Sequence, residues 1–283
     1  MRMEPRPVLE AERIRRCAVC GMFYPGNATI LRKEISGLLE RIRPLPITGP
    51  IPGLIAPHAG FMYSGPTAAH GYALLRRREY AAVVIVSPSH REYFDGVSVF
   101  PGDAYETPLG MVNVSESLRK QLLKACPVVR ATNQGHGDEH AIEVQLPFLQ
   151  ETLGDFVVLP VVIGDQRREN CFQLGKALAE IISDKNVLLI ASTDLSHYHS
   201  SAIADILDTV MIDDVQSFDH ERLMNDLESG RTEACGGGPT VAVMVALHTL
   251  GIRRMEVLHH CNSGDITGDT DRVVGYLSAV AHA

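Results

Sequence analysis

Val83-Val84-Ile85-Val86-Ser87-Pro88-Ser89-His90 decides the fold. Four consecutive β-branched residues without polar alternation read as a strand covered on both faces, as in the interior of a parallel sheet. The strand stops at a proline, and a histidine follows at once. The pattern recurs in Gly53-Leu54-Ile55-Ala56-Pro57-His58-Ala59-Gly60 and in Leu188-Leu189-Ile190-Ala191-Ser192-Thr193-Asp194-Leu195-Ser196-His197. In open α/β sheets the loops after the strands converge on one crevice, so His58, His90 and His197 are expected to meet there.

Working outward, Asn27 caps a predicted helix reaching about Arg43, and the proline-rich stretch 44–52 leads into a strand at 53–56. Alternating elements follow: helix 66–77, strand 81–86, helices 115–125 and 138–153, strand 156–162, helix 169–183 and strand 186–191. One or two helices between 201 and 229, a helix at 239–250 and strands at 255–261 and 272–281 complete the chain. The expected fold is a single α/β/α layered domain over residues 1–283, with a central mixed, largely parallel sheet and residues 1–25 as an N-terminal arm packed on it.

Cys235 stands in Ala234-Cys235-Gly236-Gly237-Gly238-Pro239, where a glycine turn opens a helix. A helix N-terminus favours a thiolate able to bind metal or attack an electrophile; the bland reading is a buried thiol beside a tight turn. Asp194 precedes His197 by three residues and is expected to orient it as an acid/base pair, unless it merely caps a turn. In Gln134-Gly135-His136-Gly137-Asp138-Glu139-His140-Ala141-Ile142-Glu143, His140 and Glu143 fall one turn apart on the predicted helix. The segment is read as a source of contacts behind a metal ligand or to a substrate, the alternative being that Glu139 and Glu143 do no more than complement the helix dipole. His70, His220, His248, His259, His260 and His282 read as structural or surface residues.

Six cysteines scattered over 283 residues are not a disulfide scaffold. Cys17 and Cys20 form one Cys-x-x-Cys, but no second pair follows at zinc-ribbon spacing, so they are read as two ordinary thiols. A net charge of −8 and the absence of basic runs beyond Arg76-Arg77-Arg78 argue against nucleic acid as a partner. The apolar runs are too short to cross a bilayer and the N-terminus is not signal-like, so no membrane association and a cytoplasmic location are expected.

Ala-Pro-His-Ala-Gly, Ser-Pro-Ser-His, Asp-Glu-His-Ala-Ile-Glu, Ser-Thr-Asp-Leu-Ser-His and Cys-Gly-Gly-Gly-Pro, in this order and spacing, resemble the Memo family, called AmmeMemoRadiSam system protein B in prokaryotes. The likeness runs from Gly21-Met22-Phe23-Tyr24-Pro25 to the last strand. That family is similar in fold to class III extradiol ring-cleaving dioxygenases, which hold a non-haem iron with two histidines and a carboxylate. The resemblance implies His58, His90 and Cys235 as metal ligands, His197 as the acid/base histidine with Asp194 beside it, and His140 as a pocket residue.

It also implies iron or copper as cofactor, with zinc as a third candidate, because a thiolate replaces the carboxylate. Three functions follow as expectations: a metal-dependent or redox-active enzyme on a small molecule, a peptide- or phosphopeptide-binding module, and an extradiol catechol dioxygenase. The family name implies pathway partners of the radical-SAM and AMMECR types. Where family members often carry Ala-Gly before Phe-Tyr-Pro, this chain has Cys20-Gly21.

Overall fold

The computed structural model describes residues 13–282. Twelve strands alternate with nine helices among these residues. The strands are β1 (Ile14–Arg15), β2 (Gly53–Ala56), β3 (Ala82–Pro88), β4 (Val97–Val99), β5 (Ala104–Thr107), β6 (Gly110–Val114), β7 (Val129–Ala131), β8 (Val157–Ile163), β9 (Val187–Ser192), β10 (His197–His199), β11 (Met255–Asn262) and β12 (Val273–Ala281). The helices are α1 (Ala28–Glu40), α2 (Phe61–Ala73), α3 (Glu116–Ala125), α4 (Leu146–Leu153), α5 (Arg168–Ile182), α6 (Ser201–Gln216), α7 (His220–Glu228), α8 (Gly237–Thr249) and the single turn α9 (Gly264–Thr267).

The continuous apolar runs form the centre of the sheet. Neighbours β6, β8, β3, β9 and β2 all pair in parallel, and antiparallel β12 and then β11 extend the sheet beyond β2. Because side chains alternate across a strand, β3 serves both layers. Ala82, Val84 and Val86 pack with α3, α5, α7 and α8, whereas Val83 and Ile85 pack with α1, α2 and α4. The architecture is therefore the expected α/β/α sandwich around a mixed, largely parallel sheet.

Several local expectations are corrected. The predicted helix at 66–77 is α2, which starts at Phe61 and contains Pro66. Phe61 packs on Tyr24 and Phe148, and this apolar anchor sets the start. The carbonyl that Pro66 cannot bond belongs to Met62, an exposed residue. The helix expected at 138–153 begins only at Leu146, after a single 3-10 turn at Glu143–Gln145. Strands β4, β5, β6, β7 and β10 had no apolar run to announce them; all are three to five residues long.

Cys17 and Cys20 are not ordinary thiols but a disulfide, with Cα atoms 5.8 Å apart. The chain turns back on itself here: Met22 and Phe23 donate their N–H groups to the Val19 carbonyl, and Cys20 bridges to Tyr24. Of the expected arm, residues 1–12 lie outside the described residues. The remainder is anchored by Glu143, whose carboxylate pairs with Arg15 and accepts from the N–H groups of Ala18 and Val19 and the hydroxyl of Tyr24. No helix among the described residues is long and apolar enough to cross a membrane.

Candidate metal centre

Strands β2, β3 and β9 lie side by side and point the same way, so their C-terminal ends form one rim. His58 follows β2 by two residues and His90 follows β3 by two. Cys235 arrives from the other side, just before α8. Gly236 has no room for a side chain, since a Cβ would overlap the carbonyl oxygen of Ser192. Its N–H donates to Thr193 Oγ1 at 3.0 Å, which seats Cys235 against the end of β9.

A chain of hydrogen bonds fixes the tautomer of His58. The carbonyl of Pro57 only accepts, so the amide nitrogen of Gln145, 3.0 Å away, donates to it and also donates to Ser192 Oγ at 2.8 Å. Ser192 donates its own proton to the carbonyl of Ala141 at 2.7 Å. Ser192 Oγ can then only accept from His58 Nδ1, 2.9 Å away. The lone pair of His58 Nε2 is left facing Cys235 Sγ at 3.1 Å. Burial, followed by the nearby His90, holds the His58 pKa well below its ordinary value, so the ring is a neutral donor of that lone pair.

Glu139 does the same for His90. Oε1 faces His90 Nδ1 at 2.9 Å and also accepts the N–H groups of His140 and Ala141, while Oε2 accepts the His90 N–H at 2.6 Å. A carboxylate accepts only, so Nδ1 carries the proton and Nε2 is free. Burial alone would raise the Glu139 pKa, but the His90 bonds and the backbone N–H groups outweigh it and hold it at about 2.

Donor atoms of His58, His90 and Cys235 all lie within 4.8 Å of one another, as do those of His90, Glu139 and His140. The first set fits a metal ion better, because the oxygens of Glu139 are already committed to N–H donors. Two imidazoles and one sulfur, with both second ring nitrogens of the imidazoles held by acceptors, make a donor set suited to a borderline or soft cation. His140 closes the group, its ring 4.6 Å from that of His90 and 5.3 Å from that of His58. Burial, followed by the nearby His58, pushes its pKa down to about 4.

Two expectations about charge are corrected. The Cys235 thiol is pushed up, not down: burial and then the Asp194 carboxylate outweigh the hydrogen bonds from the Asp194 backbone, Thr193 and Gly236. Asp194 does not orient His197. Its Oδ1 accepts the backbone N–H of His58 at 2.7 Å, and its Oδ2 stands 3.9 Å from His58 Nε2. His197 Nδ1 donates instead to the carbonyl of Leu195 at 2.7 Å, which leaves its Nε2 as an acceptor.

His58, His90, His140, Asp194 and His197 all line one cleft of about 650 Å³, walled by Phe23, Tyr63, Tyr198 and Tyr276. A cavity of about 730 Å³ opens around Arg32, Tyr80, Met111 and Phe156 and contains none of these groups. His136 lies outside the cleft, buried between Phe100 and Tyr105, with the Tyr105 hydroxyl 2.6 Å from its Nδ1. His199 turns away toward Glu233.

The sequence profile described as Memo-like protein matches residues 15–280. A MEMO1 family protein from Methanocaldococcus jannaschii is 38% identical over 95% of this chain and 99% of its own length. One from Nitrosopumilus maritimus is 34% identical over 93% of this chain and 98% of its own. The chain belongs to the Memo family. Among solved structures, the uncharacterized protein JW3007 from Escherichia coli K12 shares the fold at a TM-score of 0.56, with 17% identity over 81% of this chain and 99% of that one.

Within this Memo-family site, sequence reasoning missed Ser192, Gln145 and Leu195, and it left the role of Glu139 open between a contact behind a ligand and the helix dipole. Ser192 and Gln145 are fully buried polar residues, but one ends an apolar strand and the other sits in an apolar helix start, where neither signals a role. Glu139 stands next to His140 in an acidic, exposed-looking stretch. His140 and Glu143 do not share a face either: the turn at 138–142 aims His140 into the cleft and Glu143 back at the arm.

Proposed function

We propose that this Memo-family protein holds one non-haem metal ion, iron or copper with zinc as a third candidate, between His58, His90 and Cys235. It is a metal-dependent, redox-active enzyme working on a small molecule in the cleft. The observation that carries this reading is the pair of imidazoles whose Nδ1 protons are both tied down, so that their Nε2 lone pairs are free beside Cys235 Sγ. Such backing of histidines is the usual companion of a metal ligand and has no purpose in a bare peptide groove. That favours the enzyme over the peptide- or phosphopeptide-binding module.

A bound ion would supply Lewis acidity and, for iron or copper, a change of oxidation state. The protein's own part is positional. Ser192 and Glu139 hold the two rings, Asp194 holds the His58 backbone, and Gly236 seats Cys235. His197, half exposed in the same cleft with its Nε2 free, accepts a proton from a bound ligand and returns it. The aromatic walls exclude water from the ligand's apolar part. Work in a pathway with radical-SAM and AMMECR-type proteins belongs to the same reading and rests on the family resemblance.

Metal analysis of protein purified without oxygen tests the centre. About one equivalent of metal per chain is expected, with X-ray absorption showing one sulfur and at least two nitrogen neighbours. Cys235→Ser loses at least tenfold in affinity, since a serine hydroxyl stays protonated, whereas Cys17→Ser and Cys20→Ser keep their metal. Equal metal content in all three variants would sink the reading.

A further inference from the structure

β10 breaks the rules of a strand at its middle residue. His197 pairs with Val274 and His199 with Val273, so the register slips across Tyr198 and the strand bulges. Tyr198 has φ +64°, a left-handed conformation that a bulky residue adopts only when its surroundings impose it. Bulges re-aim side chains and gather beside working sites. Here the re-aimed ring is 63% exposed, so burial does not account for its position, and it directly follows His197.

The guanidinium of Arg272 lies over that ring, 5.4 Å from its centre. Tyr198 and Arg272 line the same cleft as His58 and His197, and Arg272 is the sole lysine or arginine among the lining residues. Among the described residues no carboxylate stands within ion-pair reach of it. Asp269, at the same lip, already accepts the N–H of Asp271 at 3.0 Å.

We propose that the Tyr198–Arg272 pair is the specificity element of the cleft and selects a planar, apolar ligand bearing a carboxylate. A guanidinium stacked on an aromatic face keeps its edge donors free for a two-pronged carboxylate contact. A single such group matches a single negative charge. A phosphate dianion, which needs several donors, would meet Asp269 and a chain of net charge −8 with no second cation to offset them. The carboxylate end held at Arg272 leaves the rest of the ligand between the tyrosines, directed at His197. Only this last step rests on the metal-centre reading; the selection of charge at Arg272 does not.

Calorimetric titration with 4-hydroxyphenylacetate and its uncharged analogue 4-hydroxyphenylacetamide, on metal-free and zinc-loaded protein, tests the proposal. The acid binds at least tenfold more tightly than the amide in the wild type. Arg272→Gln abolishes the preference, Arg272→Lys keeps part of it, and Arg76→Gln, an exposed arginine outside the cleft, changes nothing. Equal affinity for acid and amide, no measurable binding of the acid in either metal state, or a preference that survives in Arg272→Gln overturns it. Failure of zinc to bind alongside a clear acid preference counts against the metal centre and leaves this inference standing; zinc binding without any preference does the reverse.

Discussion

The backbone N–H of His58 donates to the carboxylate of Asp194 at 2.7 Å, across 136 residues of chain. The bond ties the ends of neighbouring strands β2 and β9 together where they carry the cleft's chemistry. Ser192 holds the His58 ring and Asp194 holds its backbone, so the two restraints act on different parts of one residue. Burial, partly opposed by that His58 N–H, raises the Asp194 pKa.

Asp194→Ala therefore frees the His58 backbone and weakens metal binding by about 10–100-fold, the usual effect of losing an outer partner. Asp194→Asn is milder, because its amide oxygen still accepts the N–H. Competition against a chromogenic chelator separates the two variants. Alanine and asparagine variants that both bind like the wild type would show that the bond does not position the ligand.

Glu139 and Glu143 stand one turn apart in sequence, and the structure predicts opposite failures for them. Glu139→Gln puts an amide N–H₂ where His90 and two backbone donors need acceptors, so metal affinity falls about 10–100-fold with little loss of stability. Glu143→Gln leaves Arg15 buried without its counter-charge and unfolds the arm, costing about 3–5 kcal/mol in denaturant melts. Folded Glu143→Gln protein keeps its metal stoichiometry. The same phenotype in both variants would contradict this division.

The sheet was legible because the parallel strands 81–86, 156–162 and 186–191 bury both faces and so carry unbroken apolar runs. Strands β4 to β7 and β10 are only three to five residues long, too short to carry such a run, and look like loops. The site was legible where ligand-type side chains end such strands, as at His58 and His90. Its supporting network was not, since Ser192, Gln145 and the Leu195 carbonyl act through long-range contacts that leave no local pattern. Neighbourhood in sequence also misled: Asp194 lies three residues from His197 yet serves His58, and Cys17 with Cys20 looked too isolated to matter until the turn at 19–24 brought them together.

Asp214, fully buried on α6 beside Arg222, gives a pH prediction. Burial raises its pKa to about 6, with Arg222 opposing and Asp226 adding to the rise. An unfolded aspartate titrates near ~3.9. Between these values the folded state binds more protons, so stability falls as pH rises from about 4 to about 6 and stays lower above. Asp214→Asn removes the penalty: its melting temperature at pH 8 exceeds the wild type by about 2–4 °C, and the gain fades through pH 6 and is gone below pH 4. A gain independent of pH, or a loss at pH 8, would refute this account.

The last prediction separates this centre from that of a ring-cleaving dioxygenase. Two histidines and a carboxylate form the iron set for oxygen activation, whereas the donors gathered here are two histidines and Cys235, and the nearby Asp194 is occupied by the His58 N–H. A sulfur donor alters the charge and softness of the site and is itself oxidisable beside activated oxygen. Wild-type protein loaded anaerobically with iron and then exposed to oxygen should cleave simple catechols no faster than a His58→Ala control. Cysteine oxidation at Cys235, read by mass spectrometry, is the competing outcome expected under the same conditions. Rapid appearance of a yellow ring-opened product, abolished in both His197→Ala and His58→Ala, would restore the dioxygenase reading.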